Sequence, residues 1–188
     1  MFQSNQYLLK RQVFALTGKF RVFDPSGKLL LFSEQKMFKL REDIRVYSDE
    51  SKTQEVLAIK ARQIVDFSAA YDVFDSATGQ KVGAMRRKGL KSILRDEWEV
   101  LDVNDNVRGT LVEDSMGLAL LRRFLTNLVP QNYDMLFGET RVADYKQNFN
   151  PFTYELNIDL SMDTAGQVDR RLGIAAGILL AAVEGRQQ

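Results

Sequence analysis

Apolar and polar residues alternate in short runs over residues 20–160, and the runs are rich in Val, Ile, Phe, Tyr and Thr. Gly, Asn, Asp and Ser separate them, the pattern of half-buried strands joined by turns. Residues 152–161 are the cleanest case: Phe152, Tyr154, Leu156, Ile158 and Leu160 alternate with Thr153, Glu155, Asn157, Asp159 and Ser161. The spacing predicts a strand with the first set in the core and the second in water. A hairpin signature recurs as Val22-Phe23-Asp24 before PSGK, Val73-Phe74-Asp75 before SATGQ, and Val100-Leu101-Asp102 before VNDNV. In each, the Asp carboxylate can accept hydrogen bonds from backbone N–H groups two residues on, while Gly or Asn supplies the positive φ of a tight turn. A meander of antiparallel strands follows.

Two segments break this period of two. After Asp114 and Ser115, good N-cap residues, Leu118, Leu121, Leu125 and Leu128 recur at helical spacing until Pro130. They predict an amphipathic helix over 116–129 that plugs one open end of the sheet. Arg122 and Arg123 within it keep a helix lying on a membrane surface as the alternative. A second helix is predicted from about Thr164 to Glu184, capped by Asp163 or Thr164 and stopped by Gly185. Within it, 172–183 is apolar on nearly every side, so lipid or protein must surround it. That run has 12 residues, whereas crossing the hydrocarbon core takes about 20. Arg170 and Arg171 bound it on one side, and Glu184 and Arg186 on the other. Gly173, Gly177 and Ala181 form a stripe of small residues that suits close approach of a neighbouring backbone. The helix is therefore read as core. A barrel of about eight strands is filled by its own side chains, and a wider one needs something inside it. A helix of about 18 to 20 residues is roughly 27 to 30 Å long, comparable with the height of such a barrel. The chain reads as mainly β (α+β), an antiparallel sheet wrapped around its own hydrophobic C-terminal helix.

Composition narrows the chemistry. The 188 residues contain three prolines and no linker or low-complexity tract, so a single domain over 1–188 is expected. Lys and Arg number 26 against 25 Asp and Glu, a net charge of +1, so no whole-molecule field draws in nucleic acid or an anionic membrane, and any electrostatic partner must meet a local patch. With no Cys and no His, disulfides, thiol nucleophiles, the usual zinc sites and imidazole catalysis are excluded. The N-terminal MFQSNQYLLKRQ lacks the apolar core of a signal peptide. The expected location is the cytoplasm, or a membrane surface as a peripheral protein, without a transmembrane segment.

The order of elements resembles the LURP-one-related proteins, which share the tubby C-terminal-like fold with phospholipid scramblases and tubby proteins. The resemblance is carried by Tyr7-Leu8-Leu9-Lys10, FRVFDPSGKLL, YDVFDSATGQKVGAMRRK leading into LKSILRDEWEVLD, and the terminal DRRLGIAAGILLAAV. It implies a closed antiparallel β-barrel of about twelve strands enclosing the C-terminal helix. It also implies a binding role without catalysis, in which basic side chains on the barrel wall meet phosphoinositide-like headgroups. The Pro-rich extension and Cys cluster of scramblases have no counterpart in this sequence.

The densest basic segment, Arg86, Arg87, Lys88, Lys91 and Arg95, is the candidate site for an anion or phospholipid headgroup, because guanidinium and ammonium groups both bind phosphate. Asp96, Glu97 and Glu99 follow closely, so a solvated charged turn is the plainer account. Asp102, Asn104, Asn106 and Glu113 occupy positions 1, 3, 5 and 12 of a calcium loop, but Val107 replaces the glycine needed at position 6 and strands flank it. No phosphate loop or nucleophile elbow occurs, and neither catalytic residues nor a cofactor are assigned. The leading expectation is a binding or scaffold domain that meets anionic phospholipid. The alternatives are a protein–protein interaction module and a carboxylate-based hydrolase in a cleft at the barrel mouth.

Overall fold

The structure, a computed structural model, describes residues 1–12, 17–36, 43–62, 69–88, 97–114, 130–150 and 152–184. Twelve strands form a closed antiparallel barrel in chain order: β1 (Gln6–Gln12), β2 (Thr17–Phe23), β3 (Leu29–Lys36), β4 (Ile44–Tyr47), β5 (Glu55–Ala61), β6 (Ala70–Asp75), β7 (Lys81–Arg87), β8 (Glu97–Leu101), β9 (Val107–Glu113), β10 (Asn132–Phe137), β11 (Thr140–Asn148) and β12 (Thr153–Asp159). Each strand pairs with the next, and β1 closes on β12 with Gln6 opposite Asp159 and Gln12 opposite Thr153. The helix α1 (Arg170–Glu184) follows the last strand. The sheet wrapped around a C-terminal helix is thus the observed architecture.

Alternation sorts the side chains. On β12, Tyr154, Leu156 and Ile158 are buried, as are their β1 neighbours Leu9 and Tyr7. From Leu172 to Ala182 no side chain of α1 exceeds 8% exposure, so the helix is enclosed by the barrel on all sides. The small-residue stripe has a specific neighbour: a Cβ at Gly177 would lie 2.5 Å from Ile158, and one at Gly173 would lie 2.9 Å from Leu160. The helix backbone lies against β12 because those side chains are missing. Gly83 on β7 makes room likewise, since a Cβ there would meet the Leu101 carbonyl at 2.7 Å and Leu172 at 2.9 Å. Inside, the buried Tyr145 hydroxyl donates to the Gly173 carbonyl at 3.0 Å.

Helix α1 begins at Arg170, later than the sequence reading placed it. Two Asp residues divide the capping. Asp163 accepts the backbone N–H groups of Gln167 and Val168, both at 2.8 Å, and Arg170 at 3.1 Å. Asp169 accepts the Arg171 N–H at 2.9 Å. Residues 164–168 are spent on that turn. The predicted helix over 116–129 lies outside the described residues.

Antiparallel order gives the barrel two unlike rims. At the first, short turns join β2–β3, β4–β5, β6–β7, β8–β9 and β10–β11, and α1 enters after β12. All three hairpin signatures are here. The Asp24 carboxylate accepts from Ser26 and Lys28, Asp75 from Ala77 and Thr78, and Asp102 from Asn104 and Asn106, at 2.9–3.0 Å throughout. Gly27 and Gly79 supply the positive φ in the first two, but Asp105 does so in the third. Arg171 ties the helix entrance to this rim through Asp75 at 2.7 Å. The strand ends at the other rim lead into 13–16, 37–42, 63–68, 89–96 and 115–129, which lie outside the described residues, and into the β11–β12 connection.

Candidate functional site

Among the described residues, the basic segment does not present a continuous cationic surface. Arg87 stands opposite Trp98, which is 1% exposed, so Arg87 faces the barrel's inner side, while Arg86 and Lys88 project from the outer wall. Period-two alternation would have separated them in the sequence. Cross-strand register then brings carboxylates to both outward cations: Arg86 Nε lies 2.6 Å from Glu99, and Lys88 Nζ lies 2.5 Å from Glu97 and 4.0 Å from Glu99. Lys91 and Arg95 lie outside the described residues.

The four calcium candidates do not converge. Asp102, Asn104 and Asn106 close the β8–β9 turn, where the Asn106 backbone N–H, above all, holds the Asp102 carboxyl below the usual carboxylate range. Glu113 ends β9 at the opposite rim, roughly 20 Å away at strand rise. It is 5% exposed and stands opposite Tyr133. Among the described residues no group of three or more carboxylates is arranged to hold a metal ion.

A cleft of about 580 Å³ crosses the outer wall over β1. Outward side chains Leu8 and Phe23 line it together with Lys10, Gln6, Asn157 and Asp159. Two carboxylates border it, yet both are held low. The Ser26 hydroxyl lowers Asp24. At Asp159, burial is outweighed by hydrogen bonds from Ser161 and Gln6. Both are therefore ionised at neutral pH, which suits charge complementarity and not proton donation. Asp134 is pushed up by burial against the pull of Arg141. It lies on the outer wall, 3.0 Å from Arg141, which also reaches Asp144 at 2.8 Å, and it borders neither this cleft nor the shallow one at the helix entrance.

At the second rim the inner face turns polar. Arg11 is 4% exposed with its guanidinium 5.5 Å from the Tyr154 ring centroid, and Glu113 is buried on the same inner side. Outside it, Phe149 and Phe152 stand in solvent at 61% and 72% exposure. Phe152 was expected in the core. It precedes the first β12 residue, Thr153, and alternation gives a direction only to residues inside a strand. The cleft went unforeseen because it needs β12, β1 and β2 side by side.

These features define a closed antiparallel β-barrel whose interior is occupied by its own C-terminal helix. The family model described as LURP-one-related matches residues 29–181, and the chain belongs to that family. No curated protein matches it, and no solved structure does.

Proposed function

We propose that this chain is a non-enzymatic binding barrel that meets its ligand on the outer wall. The observation that carries this reading is the filled interior: Ile174, Ala175, Ala176 and Ile178 of α1 are fully buried against the inner faces of the strands. An anionic phospholipid headgroup is the ligand class that the family resemblance suggests. On the wall, Arg86 and Lys88 are the headgroup candidates, with side chains 41% and 30% exposed. A phosphate arriving there shares each cation with Glu99 or Glu97, so binding is weak and falls with added salt. The test is flotation of the purified protein with liposomes of neutral lipid alone and of neutral lipid with phosphoinositide, repeated for Arg86→Ala/Lys88→Ala. Flotation that needs the anionic lipid and both side chains supports the reading. No flotation at any lipid composition sinks it.

A further inference from the structure

The β11–β12 connection presents two large aromatic side chains to water at the second rim. Phe149 and Phe152 are 61% and 72% exposed, whereas Trp98, Tyr145 and Tyr154 inside the barrel are at most 2% exposed. Asn150 organises this tip, since its side-chain oxygen accepts the backbone N–H of Phe152 at 3.0 Å and of Thr153 at 3.2 Å. The charge pattern around the tip is equally specific. No charged residue occurs between Lys146 and Glu155. On the flanks the cations stand out and their carboxylate partners are recessed: Lys146 is 59% exposed against 10% for Asp144, and Lys10 is 40% exposed against 19% for Glu155.

We propose that this tip docks on a lipid bilayer surface carrying anionic lipid, with Phe149 and Phe152 entering the interface and Lys146 and Lys10 facing the headgroups. A bilayer is the occupant that fits. Phe149 and Phe152 are the exposed large apolar side chains described at this rim, and two such rings offer well under the roughly 800 Å² that a stable protein partner needs on each side. Strand addition is closed to a partner, because the barrel has no free edge. An uncharged aromatic tip flanked by outward cations needs no shape match to enter an anionic interface. The inference uses neither Arg86, on β7, nor Lys88, just past its end, and β7 lies nearly across the barrel from β12.

The full chain carrying Phe152→Trp tests it, because the native Trp98 is buried and adds a constant background. On phosphatidylcholine vesicles containing phosphatidylserine, the new emission shifts to the blue and is quenched by lipids brominated in their acyl chains. Phe149→Ala/Phe152→Ala lowers the vesicle partition coefficient by roughly tenfold or more, and its unchanged far-UV circular dichroism shows that it folds. Emission neither shifted nor quenched at saturating lipid overturns the proposal, as does full vesicle binding by the double Ala variant. Lipid-independent self-association that the same variant abolishes assigns the tip to a second copy and also overturns it. If binding is lost in Arg86→Ala/Lys88→Ala and kept in the Phe variant, the headgroup reading stands and this one falls.

Discussion

The two rims of the barrel close their strands by different means. At the first rim, order is local: Asp24, Asp75 and Asp102 each hold two backbone N–H groups within four residues of themselves. Asp49 does the same for Ser51 in the β4–β5 turn, where Lys52 takes a positive φ. At the second rim Asn150 holds Phe152 and Thr153 in the same local way, but the buried polar groups depend on neighbours far along the chain. Arg11 meets Tyr154 across the β1–β12 seam, and Glu113 packs opposite Tyr133. Both rims expose apolar side chains, Val103 and Val107 at the first and Phe149 and Phe152 at the second, but among the described residues aromatic ones stand exposed at the second. The first rim anchors the helix through Arg171 and Asp75, and the proposed docking tip belongs to the second.

Four experiments break or sharpen this contrast. Ending the chain before Gln167 removes α1 and leaves the inner faces of all twelve strands without their filling. The expected outcome is complete loss of a cooperative thermal transition, and a truncated chain that still melts cooperatively refutes the division of labour. Next in size is Asp163→Ala at the helix entrance. The Asp163 side chain is fully buried and holds two backbone N–H groups and Arg170. Its removal leaves the two buried N–H groups without this acceptor and deprives Arg170 of its charge partner, though Arg170 keeps Asn5 and the Val168 carbonyl, and costs about 3 kcal/mol in urea unfolding.

The third effect is pH dependence. The carboxyls of Asp24 and Asp49 are held low first by the Ser26 and Ser51 hydroxyls, and those of Asp75 and Asp102 first by the backbone N–H groups of Thr78 and Asn106. A depressed native pKa contributes stability above the unfolded value, about 3.9 for Asp, and that contribution disappears as pH falls through the native value. Urea midpoints therefore decline on acidification below about pH 4, and a variant with Asn at 24, 75 and 102 shows a shallower decline. The smallest effect is on the second rim: Phe149→Ala/Phe152→Ala changes unfolding stability by no more than about 0.5 kcal/mol, as for exposed side chains generally. A larger loss assigns those rings to packing.

How much of this was legible in the sequence follows the range of the interactions. The Asp turns were readable because donor and acceptor lie within one short window. The burial of α1 was readable because it is apolar around its circumference and too short to cross a membrane, and no described helix is long and apolar enough to do so. Its first turn was misplaced because Asp163 and Asp169 are both competent caps, and only packing decides between them. At the candidate site, Arg86 and Lys88 were found but their partners were not fixed, since the Arg86–Glu99 pairing depends on the register of β7 with β8. Phe152 was misassigned because a pattern of alternation does not show where a strand begins.

The place of α1 after the twelfth strand has a consequence for synthesis. A ribosome emits every wall of this barrel before the segment that fills it, and the seam pairs Gln6 with Asp159, 153 positions apart. Until α1 emerges, the apolar inner faces have nothing native to cover them. Closing the barrel must then wait for nearly the whole chain.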